Sequence, residues 1–403
     1  MRYSIGEMET DRRAFLQTSL GLTAALGAAP MFVPQSAFGA NDRMAYGLIA
    51  TGGRGRYLNK EFLKHGVQCV ALSDVYEPNL ELAKKDAPDA KTYVNYHELL
   101  QQPGVDFVVL APPDHHHCPM LLAALAAGKD VYAEKPLSRT LAESAKMISA
   151  VRASKKVVQI GMQRRSAPAL MEAKKLIDDG ALGRITMVKP QWHWNVARPL
   201  NNSPLPGKLD WTRFLGSARK RPLEPMRFRY WRYFWDYAGG NMTDQGTHLM
   251  DVVMWFTGAE PPKSALAYGY VAKMTGAEHP EVFCATFEFA NFMATWELNY
   301  CTAWENDWSI TFLGDKGTLV LSEGTYRLYK EPWPKFKEPI LEAKAPVPLG
   351  AHVQNFLDCI KSRKDPNCTV EIAAKAVSGP HLANIAYRKG RRVHLGPDRV
   401  KVS

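Results

Sequence analysis

The sequence predicts an α/β chain of two domains: a parallel sheet wrapped by helices, then an α/β unit built on a large, mainly antiparallel open sheet. Three observations carry this. Up to residue 165, short continuous apolar runs alternate with helical stretches, the mark of parallel strands buried on both faces. The first run closes on a Gly-rich turn and the second on an acid. From Ile185 onward strands follow one another through hairpin signals instead. At ~150 residues per domain, the 403 residues give two to three domains. A content of 46% hydrophobic and 23% charged residues excludes a disordered, collagen-like or polytopic membrane chain. The 51 Lys and Arg against 40 Asp and Glu leave a charge of +11, enough to attract polyanions or acidic glycans. No nucleic-acid motif concentrates that charge, so it reads as a solvated basic surface with no nucleic-acid partner.

Residues 1–39 read as an address. Arg12-Arg13-Ala14-Phe15-Leu16 precedes a weakly apolar Gly/Ala stretch that ends in Ala37-Phe38-Gly39, which resembles a twin-arginine export signal cleaved after Gly39. Pro30 and Pro34 interrupt that stretch, leaving fewer than the ~20 apolar residues of a membrane span. The expectation is a periplasmic or otherwise exported protein, folded and loaded with its cofactor before crossing, with no stable membrane span after processing. The six cysteines lack Cys-x-x-Cys spacing and read as buried thiols, with Cys359 and Cys368 the one pair placed to bridge.

The next segment, 40–165, has the grammar of a Rossmann dinucleotide-binding domain. A strand over Met44 to Ile49 runs into Ala50-Thr51-Gly52-Gly53-Arg54-Gly55, a helix continues to Lys64, and a strand over Val67 to Ser73 ends at Asp74, nineteen residues beyond Gly55. Gly52 and Gly53 let the backbone approach a pyrophosphate, Gly55 lets helix pack on strand, and the helix N-terminus supplies amide donors. Asp74 can accept the ribose hydroxyls of NAD and repels a 2′-phosphate, so NAD is expected over NADP. Arg54 is a phosphate or ribose contact, or solvated; the first fingerprint position holds Ala50 rather than Gly.

Two later strands end in polar clusters where open parallel sheets bind ligands. Val105 to Ala111 leads to Pro112-Pro113-Asp114-His115-His116-His117, and Val131 to Ala133 leads to Glu134-Lys135-Pro136. With the helix expected only from Pro119, successive histidines in an extended segment face opposite sides, so a polar wall for the cofactor is favoured over a metal site. Lys135 at a strand end can handle a proton or polarise a carbonyl; the bland reading is a surface Lys before a turn.

The remaining segment, 166–403, reads as a second α/β domain whose open sheet leaves one face free for the cofactor domain or another subunit. A helix runs to Ile177, and strands are expected over Ile185 to Trp194, Ser264 to Ala272, Val282 to Phe289, Phe292 to Asn299, Trp308 to Gly314, Thr318 to Ser322 and Tyr326 to Lys330. Between them, Asp244, His248 and Asp251 fall on one helical face at i, i+4 and i+7. A carboxylate beside His248 would orient it and raise its pKa, making a base for an alcohol proton; Asp244 as a helix cap is the alternative. Trp194 and its aromatic neighbours suit the C–H faces of a sugar, while Arg165 and Asp236 suit hydroxyls or a carboxylate, and oligomer packing is the competing use of the same side chains.

Gly-Gly-Arg-Gly at 52–55, Pro-Asp-His-His-His at 113–117, Ala-Gly-Lys-Asp-Val-Tyr-Ala-Glu-Lys-Pro-Leu at 127–137 and Gly161-Met162-Gln163-Arg164-Arg165 together resemble the Gfo/Idh/MocA oxidoreductase family. The resemblance covers nearly all of the chain beyond residue 39. It implies NAD held by the residues above with Pro112, His115, Glu134, Lys135 and Gln163. It also implies Lys135, Asp244 and His248 as the proton-handling set, a second domain, 166–403, for substrate binding and oligomerisation, a small sugar or cyclitol substrate, and a homo-oligomer, dimer or tetramer; the residues themselves favour Arg165, Trp194 and Asp236 as its pocket lining, and no metal. The implied reaction moves a hydride between a secondary hydroxyl and nicotinamide. Two other readings stay open: an NAD-dependent glycosidase working by transient oxidation and elimination, and a non-catalytic sugar-binding protein.

Overall fold

The computed structural model describes residues 43–322, 324–332 and 338–403; the expected export signal lies outside them. The N-terminal half alternates β1 (Ala45–Ile49), α1 (Gly53–Lys64), β2 (Gln68–Ser73), α2 (Glu77–Lys84), β3 (Lys91–Tyr93), α3 (Tyr96–Leu100), β4 (Phe107–Leu110), α4 (Asp114–Ala126), β5 (Asp130–Ala133), α5 (Leu141–Ser154) and β6 (Val158–Ile160). All six strands pair in parallel in the order β3-β2-β1-β4-β5-β6. β4 and β5 are buried at every residue, as the uninterrupted apolar runs require of strands covered on both faces. The order reverses beside β1, which opens a crevice between the carboxyl ends of β1 and β4, where such sheets bind ligands.

The second half contributes α6 (Pro168–Asp178), β7 (Ile185–His193), α7 (Trp211–Leu215), α8 (Pro225–Arg229), α9 (Gly240–Thr257), β8 (Ser264–Tyr270), β9 (Val282–Glu288), β10 (Met293–Asn299), β11 (Asp307–Gly314), β12 (Gly317–Ser322), β13 (Gly324–Lys330), β14 (Leu341–Ala345), α10 (Leu349–Ser362), α11 (Val370–Lys389) and β15 (Val393–His394). Nine strands form one sheet in the order β14-β13-β12-β11-β7-β10-β9-β8-β15. Two hairpins form, β9 with β10 and β11 with β12, as the hairpin signals require. The central pair β7 and β10 is parallel, because the chain leaves β7 for α9 and two further strands before returning beside it. Buried and part-exposed residues alternate along β9 and β11, so one face is packed and the other open. Phe256 of α9 stacks on Phe312 of β11 at 5.4 Å within that packed face.

Three expectations are corrected. The helix expected from Pro119 begins at Asp114, so the three histidines occupy its first turn rather than an extended segment. Cys284 is exposed and Cys301 half-buried, and all six cysteines, Cys359 and Cys368 included, are free thiols. Finally, a cut at residue 165 does not divide the packing. Val353, Phe356 and Leu357 of α10 lie in the core of the N-terminal sheet, where Phe356 meets Phe107 at 5.5 Å and Tyr132 at 5.7 Å. Among the described residues no helix is long and apolar enough to cross a membrane.

Candidate active site

The Gly-rich turn is shaped by two close approaches. Ala50 sits at φ 69°, the left-handed region that favours glycine, and its N–H donates to the Ser73 carbonyl at 2.7 Å. A Cβ on Gly55 would lie 2.1 Å from the Ala50 carbonyl oxygen, so only glycine fits there, whereas Gly53 has open space above it. Gly53 begins α1, whose first N–H groups lack intrahelical partners, and open backbone with unsatisfied donors suits a pyrophosphate. At the end of β2, Asp74 Oδ2 accepts from Thr51 N at 2.7 Å, Thr51 Oγ1 at 3.2 Å and Asn79 Nδ2 at 3.3 Å. Among the described residues Oδ1 accepts only from Tyr76 N at 2.9 Å, so it keeps capacity for one ribose hydroxyl rather than both. Burial pushes the Asp74 carboxyl upward, and these hydrogen bonds oppose the push.

These residues line a groove of about 730 Å³ with Gly52, Gly53, Arg54, Pro112 and His116 on one side and Phe214, Phe228, Arg229, Trp231 and Arg232 on the other. The second wall is delivered by a strap that docks beside Asp74: Leu209 bridges Tyr76, and Glu77 N donates to Lys208 O at 2.9 Å. His115 and His116 both place Nε2 on the Phe214 carbonyl, at 2.8 and 2.7 Å, while His117 Nε2 meets Pro112 O at 3.0 Å. His115, expected at the cofactor, is therefore a buried anchor of the strap; His116 is the histidine of the groove wall. Size, open backbone and a strand-end acid together fit NAD. Among the described residues no group of three or more His, Cys, Asp or Glu is arranged to hold a metal ion.

A second cavity of about 370 Å³ adjoins the groove, sharing Arg54, Ala111, Pro112, Trp231 and Arg232 with it. Its remaining lining is Glu134, Lys135, Gln163, Asp244, Gln245 and His248. β5 delivers Glu134 and Lys135, and the Lys135–Pro136 bond is cis. Glu134 is 3% exposed and accepts from Arg54 Nε at 2.7 Å; Gly161 leaves room for it, since a Cβ there would lie 2.9 Å from Oε1. Helix α9 delivers Asp244 and His248 one turn apart; its first residue, Gly240, has φ 64° and lies against His279, where no side chain would fit.

Lys135 Nζ donates to Asp244 Oδ1 and to the Asp244 carbonyl at 3.0 Å, and Arg232 Nε lies 3.4 Å from Asp244 Oδ2. Although burial alone would raise the Asp244 carboxyl, Lys135 and Arg232 bring it down to about 2, so it is ionised at neutral pH. The expectation that Asp244 raises His248 is corrected. Asp244 is held by the two cations, and burial, then Lys135, Arg164 and Arg54, lowers His248 well below the usual imidazole range. His248 is thus a neutral imidazole, and among the described residues neither ring nitrogen has a hydrogen-bond partner, which leaves both available to a ligand. Gln163 likewise presents a buried Oε1 without a partner.

The residues expected to meet substrate sit elsewhere. Arg165 Nε spans both oxygens of Asp251 at 2.8 and 3.0 Å, which also removes Asp251 from the His248 face. Asp236 pairs with Arg221, and Trp194 stacks on Tyr300 at 5.6 Å. None of the three lines either cavity. Arg232 escaped the sequence reading, and Asp114 stands in it only as a member of the strand-end polar cluster. Asp114 is 3% exposed at the start of α4; burial and Asp244 raise its carboxyl to about 7, with Arg232 and Lys135 opposing. Arg232 stands in an aromatic and basic run whose neighbours Arg227 and Arg229 are tied to Glu278 and to backbone carbonyls, so no local signal separates it from them.

A doubly built α/β chain with a dinucleotide groove opening onto a Lys-Asp-His cavity defines the class of two-domain nicotinamide-binding proteins. Residues 44–162 match the profile of the oxidoreductase family with an NAD-binding Rossmann fold, and residues 170–320 match that of the GFO/IDH/MocA C-terminal domain. The chain belongs to the Gfo/Idh/MocA family. It is similar to inositol 2-dehydrogenase of Salmonella paratyphi B, 35% identical over 134 residues, 33% of this chain and 40% of that protein. It also resembles levoglucosan dehydrogenase of Pseudarthrobacter phenanthrenivorans, 30% identical over 188 residues, 46% of this chain and 42% of that one. The match thus spans less than half the length of these curated relatives. In fold it is similar to levoglucosan dehydrogenase complexed with NADH and levoglucosan, with a TM-score of 0.72, 18% identity, and coverage of 87% of this chain and 99% of that one. Aldose-aldose oxidoreductase from Caulobacter crescentus, complexed with glycerol, gives a TM-score of 0.69 at 21% identity over 88% of this chain and 100% of that one.

Proposed function

We propose that the protein is an NAD-dependent oxidoreductase acting on a secondary hydroxyl of a sugar, sugar derivative or cyclitol. The observation that carries this is the shared wall: Pro112, Arg54 and Arg232 border both the dinucleotide groove and the cavity holding Lys135, Asp244 and His248. A small hydroxylated molecule in that cavity lies against the end of the groove. Bound NAD supplies a hydride acceptor for the carbinol carbon and gives up its positive charge in doing so.

The chain's own residues then divide the work. His248, neutral and unpartnered, accepts a hydrogen bond from the substrate hydroxyl and takes its proton at a ring nitrogen. Lys135, Arg164 and Arg54, which depress its basicity, are a cost of the resting cavity. Lys135 polarises the oxygen as the carbonyl forms, and Asp244 fixes the ammonium there by holding both its carboxylate and its backbone carbonyl against Nζ. Glu134, buried and paired with Arg54, forms part of the cavity wall.

Inositol 2-dehydrogenase and levoglucosan dehydrogenase among the relatives support the substrate class. Export by the twin-arginine route and assembly into a homo-oligomer remain part of the same proposal, resting on Arg12-Arg13-Ala14-Phe15-Leu16 and on the open face of the nine-stranded sheet. Screening sugars and cyclitols for absorbance of enzyme-bound reduced nicotinamide tests the reaction. A responsive substrate is expected, with Lys135→Ala and His248→Ala each slowing single-turnover reduction by ~10²–10⁴ while NAD still binds. Sugar binding with no reduction by any of them would contradict it.

A further inference from the structure

The substrate cavity holds one cation that the protein leaves partly unpaired. Arg54 is committed to Glu134, with Nε and Nη2 each 2.7 Å from Oε1, and Lys135 is committed to Asp244. Arg232 shares only the second oxygen of that same Asp244, through Nε at 3.4 Å. Its guanidinium carbon lies 4.2 Å from the centroid of the Trp231 ring. Among the described residues its two terminal nitrogens have no hydrogen-bond partner, and the side chain stays 41% exposed where groove and cavity meet. Three cations thus face two carboxylates in the lining. Asp114, the other carboxyl that Arg232 feels, is raised to about 7 and so is only partly ionised near neutrality.

A planar guanidinium with its outer edge open is a bidentate receptor for a carboxylate. From this we infer that Arg232 recognises a carboxylate carried by the sugar, so that the enzyme takes a sugar acid of the uronate type in preference to the neutral sugar. Because Arg232 and Lys135 grip opposite oxygens of one aspartate, the recognised anion and the oxidised hydroxyl lie within one sugar ring of each other. That separation suits a carboxylate on the ring's own side carbon and not a charge at the far end of a long substituent. The inference rests on the oxidoreductase reading above for its chemistry, but not for its binding.

The test pairs glucose with glucuronate and galactose with galacturonate, using the NAD-loaded full chain and reading the reduced nicotinamide. In at least one pair the uronate should have the higher kcat/KM. Arg232→Gln should lower the uronate-to-neutral ratio by about 10- to 100-fold, the loss of a charge-assisted bidentate contact. Arg232→Lys, which keeps the charge but not the fork, should fall between, and NAD titration of both variants checks that they are folded. Faster turnover of the neutral members, or an unchanged ratio in Arg232→Gln, would overturn the inference and leave the oxidoreductase reading standing. Should neither member be oxidised, that reading fails for these sugars, and calorimetric titration decides Arg232 alone. Glucuronate binding lost in Arg232→Gln supports the receptor; equal binding of glucose and glucuronate by the native chain refutes it.

Discussion

At the scale of single residues, the energetics of this protein are those of buried groups held in costly states. Ala50 occupies a left-handed conformation that an L-residue enters at a cost of roughly 1 kcal/mol, at the position where the dinucleotide fingerprint has glycine. Ala50→Gly is therefore expected to stabilise the fold by no more than about 0.5 kcal/mol, since the entropy lost by glycine offsets much of the relieved strain, with NAD affinity unchanged. Thermal denaturation together with NAD titration checks this. Asp114 is a second such group. An acid raised from its unfolded value of ~3.9 to about 7 binds its proton more tightly in the folded state, so its contribution falls as pH rises between those values. Asp114→Asn should remove that fall, and the difference in Tm between about pH 5 and about pH 8 should shift toward the higher pH.

At the scale of elements, residue 165 is where sequence reading and packing part company. The βαβ grammar made β1, β2, β4 and β5, the Gly-rich turn and the strand-end positions of Asp74, Glu134 and Lys135 legible, because parallel strands leave continuous apolar runs and acids stand at their ends; β3 and β6, three residues each, were too short to leave such a run. The i, i+4 spacing also gave the helix bearing Asp244 and His248. Which charges would meet was not legible: Arg165 and Asp251 are 86 residues apart, and nothing local shows that they pair and so withdraw from the site. β14 and the two-residue β15 also escaped, since edge strands half out of the core carry little hydrophobic alternation. Nor could apolar periodicity tell which sheet α10 covers. Because Phe356 of α10 contacts Phe62, Phe107 and Tyr132, Phe356→Ala should cost ~3–5 kcal/mol and loosen the N-terminal sheet first. Hydrogen exchange of β1, β4 and β5 reads that directly; loss confined to the nine-stranded sheet would contradict the packing.

At the scale of the whole molecule, buried neutral histidines set the acid limit. Burial lowers His117, His352 and His381 to about 4 and His279 to about 3. A base whose folded pKa lies below its unfolded ~6.5 contributes stability above that value and loses it as pH falls through the folded pKa, at roughly 3 kcal/mol or more apiece if fully expressed. Denaturant midpoints should therefore drop steeply between about pH 6 and about pH 4, well above the ~3.9 of ordinary aspartates. Asp114 and Asp74, both raised by burial, oppose this fall.

Groove and cavity acting as one reaction chamber is tested most directly by single-turnover reduction of NAD bound to the full chain by an excess of a responsive sugar. The native protein should show reduced-nicotinamide absorbance approaching one equivalent per chain. Lys135→Ala should bind NAD as tightly as the native chain yet reduce it ~10²–10⁴ more slowly. Reduction at the native rate in Lys135→Ala, or in a Lys135→Ala His248→Ala double variant, would place the chemistry outside this cavity and contradict the account.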